Sequence, residues 1–154
     1  EFAFSVRDVV SQGRFAHGDQ DHGVEAILAK MDLAHLADRA VTRLSGGERQ
    51  RVLLGRALAT QAPLQLWDEP LAQLDVRHAL EVLRLARAQA EAGTTMVMTL
   101  HDLRLAERMD LVVVLDQGRL CGVGPAAEVL TPEVLLEVFR VKARVLPGLT
   151  LELP

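Results

Sequence analysis

The chain has 154 residues, of which 49% are hydrophobic and 25% charged, a balance that suits a globular sequence able to bury a core. A net charge of −4 and only 3% aromatic residues argue against a nucleic-acid grip built on phosphate neutralisation or base stacking. Cys121 is the single cysteine, so no internal disulfide is possible, and no apolar run approaches the length needed to cross a bilayer.

The opening Glu1-Phe2-Ala3-Phe4 lacks the basic and long apolar stretches of a signal peptide, and with no initiator Met the chain is expected to begin partway into something longer. Residues 4 to 13 predict a short helix starting near Ser5 or Val6 and stopped by Gly13. The polar, Gly-bearing stretch from Phe15 to Gly23 reads as a loop. It carries His17, Asp19, Asp21 and His22, ligand-capable side chains for which a solvated loop is the default and a metal site the lesser alternative. Ile27, Leu28 and Met31 fall at helical spacing, and a short segment follows at Ala34 to Ala37.

Leu44-Ser45-Gly46-Gly47-Glu48-Arg49-Gln50-Arg51 is the stretch that organises the chain. Ser45 is a good helix N-cap, and Glu48 three residues later completes a capping box. Two glycines in a first turn cost roughly 1 kcal/mol each against Ala, which implies that something approaches the backbone closely. A helix start with bare amides and a hydroxyl is a natural phosphate seat, and the alternative is a Gly-Gly turn before an ordinary helix. The helix is predicted to run to about Ala59, with Leu54 and Leu58 inward.

Leu64 to Trp67 reads as a buried parallel strand that delivers Asp68 and Glu69 at its C-terminal end, closed by Pro70. Gln65 is out of place in such a strand. A helix over residues 76 to 92 carries Ala79, Val82, Leu83, Ala86 and Ala90 on one stripe and ends at Gly93. Thr95 to Leu100 is β-rich and closes at His101-Asp102; a short helix from Leu103 to Met109 has Asp102 as its N-cap. Leu111 to Leu115 is a further apolar strand, turned by Asp116-Gln117-Gly118 into Arg119 to Val123. Two short helices follow at Pro125 to Leu130 and Pro132 to Phe139, and a terminal hairpin is expected over 141 to 153. The alternation of strands and helices predicts a parallel α/β sheet.

An anion-seating helix start, two acids after one strand and His-Asp after the next together resemble the ATP-binding cassette (ABC) ATPases. LSGGERQR looks like their signature motif, LQLWDEP their Walker B strand with its catalytic glutamate, LAQLD the D-loop, and LHD (residues 100 to 102) the switch-histidine loop. The resemblance implies a P-loop NTPase-type parallel sheet with an α-helical signature subdomain, divided as residues 1 to 60 and 61 to 154. It implies ATP and Mg²⁺ as cofactors. Asp68 would hold Mg²⁺ through water, Glu69 would be the general base and His101 would contact the γ-phosphate. Ser45, Gly46, Gly47 and Glu48 would serve the nucleotide of a second, head-to-tail ATPase subunit, and Asp75 would lie in the D-loop linking the two sites.

Phe4 to Val10 and Gly13-Arg14-Phe15-Ala16-His17 resemble the TVR-x-x-V-x-x-GR-x-P-H lead-in of iron-siderophore, haem and cobalamin importers, and Gly124 to Pro132 is also similar to theirs. That resemblance implies import of a metal chelate, docking on membrane permease subunits at the cytoplasmic face of the inner membrane, and a periplasmic or lipid-anchored solute-binding protein acting indirectly. The alternatives are a non-transport ABC ATPase and an inert truncated fragment. No G-x-x-x-x-G-K-[ST] phosphate loop occurs in these residues and no Q-loop glutamine precedes Phe4, so the chain is expected to be the C-terminal portion of a longer ATPase, inactive alone. Ala72 stands where the D-loop commonly has Ser, and Trp67 is bulkier than the usual aliphatic residue before the Walker B Asp.

Overall fold

The computed structural model describes residues 3–19 and 21–142. They form two compact units dividing between Thr99 and Leu100.

The first unit opens with α1 (Val6–Ser11), capped by a full Ser5–Asp8 capping box. Gly13 does not stop the chain as expected. A 3-10 turn continues over Gln12–His17 and ends at Gly18, whose φ of 71° is left-handed. The reason is packing: a Cβ on Gly13 would overlap the carbonyl oxygen of Arg56, so only glycine lets the turn lie against the next long helix. α2 (Val24–Lys30) and a short 3-10 turn at Ala34–Leu36 follow as the spacing predicts. α3 (Gly46–Ala59) starts at Ser45 and buries Val52, Leu54, Leu58 and Ala59. The core of this unit joins Val6, Val10, Leu28, Leu33 and Val52, all fully buried.

β1 (Leu64–Trp67), α4 (Val76–Glu91) and β2 (Thr95–Met98) complete the unit. β1 and β2 pair in parallel, with Leu64 opposite Thr95 and Trp67 opposite Met98. The apolar stripe of α4 is buried at Ala79, Leu80, Val82, Leu83 and Ala86. β1 is not buried on both faces as its apolar character suggested. Leu64 and Leu66 are exposed, the latter at 71%, while Gln65 and Trp67 point inward. A two-residue alternation sorts the strand, and Trp67 joins the helical core on one face only.

The second unit begins with α5 (Leu103–Ala106), capped by Asp102 and shorter than predicted. β3 (Val112–Asp116) was expected in the same parallel sheet as the earlier strands. It pairs instead with β4 (Arg119–Gly124) as an antiparallel hairpin, so the described residues hold two two-stranded sheets. The turn dictates this: Gln117 and Gly118 have φ of 46° and 78°, the two positive values of a tight hairpin turn. α6 (Ala126–Val129) and α7 (Pro132–Phe139) follow, and Val112, Val114, Ala126 and Val129 form a small separate core. The expected terminal hairpin falls almost wholly outside the described residues.

Candidate functional site

The start of α3 is built as its sequence implies. The Ser45 hydroxyl accepts from the Glu48 amide at 3.3 Å, and the Glu48 carboxylate accepts from the Ser45 amide at 2.7 Å. That amide, and then the Ser45 hydroxyl, hold the Glu48 carboxyl below the usual carboxylate range. Gly46 and Gly47 occupy the first two helical positions, whose amides have no acceptor within the helix. Part of the close approach that the glycines permit comes from this same chain. A Cβ on Gly46 would overlap the Gln73 side-chain oxygen, and one on Gly47 would lie 3.1 Å from the Gln73 carbonyl. The LAQLD turn therefore lies directly on the two glycines.

β1 delivers its two acids to the same region. Because β1 and β2 are parallel with Trp67 opposite Met98, the residues that follow, Asp68 and Thr99, leave the sheet side by side. The Thr99 hydroxyl donates to Asp68 Oδ1 at 2.7 Å and accepts from the Glu69 amide at 2.7 Å. Glu69 has a φ of 45°, a left-handed conformation that costs a non-glycine residue on the order of 1 kcal/mol. Gln50, two residues beyond the capping box, donates to the Glu69 carbonyl at 3.2 Å and ties α3 to the acidic turn.

Asp75 caps α4 by accepting from the His78 amide at 2.8 Å and lies 2.9 Å from His78 Nδ1; the amide, then the ring, lower its pKa. Arg51, on α3, is 8% exposed, with Nη1 3.5 Å from Asp32 Oδ2. Among the described residues its buried Nε and Nη1 have no hydrogen-bond partner. Ser45, Gly46, Gly47, Glu48, Asp68, Glu69 and Asp75 thus all belong to the first unit. His101 belongs to the second, exposed, immediately before Asp102, whose carboxyl is held low chiefly by the Arg104 guanidinium.

The ligand-capable loop has other work. Arg14, buried, donates to both oxygens of Asp19 and to the Ala59 carbonyl at the end of α3, while His17 Nε2 lies 2.8 Å from the Thr60 carbonyl. These contacts dock the loop on the C-terminus of α3, where cations are favoured. Among the described residues no group of three or more His, Cys, Asp or Glu could form a ready-made metal cage. Asp68 nevertheless offers an exposed carboxylate oxygen, the donor type suited to a cation such as Mg²⁺ that takes one or two carboxylates together with substrate phosphates. The sequence alone assigns no role to Thr99, nor to Gln50 and Gln73 within their motifs. The signal for Thr99 was the register of two parallel strands that end together.

The sequence model of a family described as ABC transporter matches residues 3–72. The chain is similar to the hemin import ATP-binding protein HmuV of Thermobifida fusca, 42% identical over 99% of this chain and 58% of that protein. It is also similar to the iron(3+)-hydroxamate import ATP-binding protein FhuC of Bacillus subtilis, 38% identical over 92% of this chain and 56% of that protein. Among solved structures, a metal-chelate type ABC transporter in an inward-facing conformation superposes with a TM-score of 0.80 at 31% identity, covering 92% of this chain and 60% of that one. The chain thus spans little more than half the length of the relatives it matches. Over nearly its whole length the chain is similar to ATP-binding proteins of ABC transporters, and LSGGERQR, LQLWDEP and LAQLD lie together in one unit.

Proposed function

We propose that this chain is part of the ATP-binding and ATP-hydrolysing subunit of an importer for a metal chelate such as haem, a ferric siderophore or cobalamin. The observation that carries the reading is the convergence of three separate motifs in one unit. Gln50 joins the signature helix to Glu69, and Gln73 of the D-loop lies on Gly46. The similarity to hemin and iron-hydroxamate importers supports the class of solute.

In this reading Asp68 would hold Mg²⁺ through water, and the ion would supply positive charge to the phosphates. Glu69 takes the proton of the attacking water, and His101 donates to the γ-phosphate. Ser45 presents its hydroxyl, and Gly46 and Gly47 their amides, to the γ-phosphate bound by a second subunit, while Glu48 holds that helix start in shape. Asp75, fixed as the cap of α4, anchors the D-loop between the paired sites. Residues 1 to 60 act as the helical subdomain and 61 to 154 as part of the α/β core. The subunit works as a head-to-tail dimer on the cytoplasmic side of the inner membrane, docked on permease subunits that receive solute from a binding protein.

The test is made on the full-length protein assembled with its permease. It should hydrolyse ATP, and Glu69→Gln should slow hydrolysis by about 100-fold or more while ATP binding persists. Undiminished hydrolysis in that variant would remove Glu69 from the general-base role. Uptake of labelled hemin, ferric hydroxamate or cobalamin into vesicles identifies the solute, and failure of all three removes the metal-chelate assignment.

A further inference from the structure

Asp68 and Glu69 are exposed side chains at the end of a four-residue strand, and nothing in their own sequence fixes where they point. The Glu69 backbone is also strained, with its φ of 45°. The neighbouring strand supplies a restraint on both residues at once. One hydroxyl, that of Thr99, donates its hydrogen to Asp68 Oδ1 and accepts the Glu69 N–H, each at 2.7 Å. The bond to the carboxylate is charge-assisted and short, the stronger class of hydrogen bond. Thr99 is itself fixed, because its amide donates to the Trp67 carbonyl at 3.0 Å in continuation of the parallel ladder. Its β-branched side chain has few rotamers to lose.

We propose that Thr99 is a positioning residue for the carboxylate pair. By engaging Oδ1 it fixes the Asp68 carboxylate and leaves Oδ2 as the oxygen that would serve the metal's water. By accepting the Glu69 amide it holds the left-handed turn that sets the Glu69 side chain. Gln50 supports the same turn from the other side through the Glu69 carbonyl. The proposal rests on the ATPase reading for its consequence, though its structural half stands apart from it.

The experiment uses the full-length protein with its permease and three variants. Thr99→Val keeps the shape and β-propensity and removes the hydroxyl; Thr99→Ala removes it with less bulk; Thr99→Ser keeps it. Hydrogen exchange of the Glu69 amide is measured beside the Mg²⁺ dependence of ATP hydrolysis. Val and Ala should each speed Glu69 exchange by about tenfold. Each should also raise the Mg²⁺ concentration for half-maximal activity and lower kcat, by about 10- to 100-fold together, as loss of a partner behind a metal-ligating carboxylate does. Ser should restore both, and the KM for ATP should move little. The proposal is overturned if Val and Ala leave Glu69 exchange unchanged, or if exchange rises while Mg²⁺ dependence and kcat stay as they were. If the unaltered protein hydrolyses no ATP, the ATPase reading fails on its own, and the Glu69 exchange rate decides whether Thr99 holds the turn.

Discussion

Trp67 Nε1 donates to the side-chain oxygen of Gln65 at 3.0 Å on the inward face of β1, with each residue only 4% exposed. The two residues that look misplaced in an apolar strand account for each other. Residues two apart on a strand share a face, so the indole that fills the core also brings an N–H that needs an acceptor, and Gln65 provides it.

Replacing Gln65 with Leu leaves that buried donor unpaired. The variant should lose about 1–3 kcal/mol in urea unfolding. Adding Trp67→Phe removes the donor as well, so the double variant should be more stable than the sum of the two single losses implies. Simple additivity would show that the pair is not coupled.

Gly13 and Gly46 should respond differently to alanine. A Cβ on Gly13 overlaps a backbone carbonyl, that of Arg56, and would lie 2.7 Å from the Ala59 Cβ, so nothing nearby can yield cheaply. Gly13→Ala should cost about 1–3 kcal/mol by overpacking. A Cβ on Gly46 meets the mobile end of the Gln73 side chain, which can swing aside. Gly46→Ala should leave the melting temperature nearly unchanged while impairing hydrolysis in the assembled protein. Equal thermal losses in the two variants would contradict this account of the signature turn.

Acid should weaken both capping boxes. Asp8 and Glu48 each have their pKa lowered from ordinary values of 3.8 and 4.5, chiefly by bonds from Ser5 and Ser45. A carboxyl whose folded pKa is depressed contributes stability that is complete above its unfolded value and is lost as pH falls through the folded value. The urea midpoint should therefore fall as pH drops from about 5 toward 3. In the Asp8→Asn, Glu48→Gln double variant the amides can still accept from the cap residues but do not titrate. The difference from the parent protein should be largest at pH 7 and shrink by pH 3. A constant difference across that range would remove these two groups from the acid response.

Much of this was legible in the residues themselves. Ser45 with Glu48, and Asp102, announce helix starts by side-chain chemistry that acts within one turn. The placement of Asp68 and Glu69 at a strand end follows from four strand-forming residues meeting Pro70. Long-range pairing was legible only in part: the parallel pairing of β1 with β2 was expected, and the partner of β3 was not. β3 looked like another parallel strand until the Gln117-Gly118 turn committed it to β4. Thr99 looked like an ordinary β-former, because its value depends on the register that sets Trp67 beside Met98. The turn at 12–17 depended on how closely Gly13 could approach α3, which local sequence does not report.

The central claim is that this chain's acids and its signature helix serve different nucleotides. It is tested most directly by mixing two inactive variants of the full-length protein, Glu69→Gln and Gly47→Asp, and measuring ATP hydrolysis of the mixture. In a head-to-tail dimer the mixed pair contains one site with an intact glutamate from one subunit and an intact signature from the other. Activity should rise on mixing, although each variant alone is nearly inactive. If signature and glutamate serve the same subunit's nucleotide, every site in the mixture carries a defect, and no recovery on mixing would contradict the account.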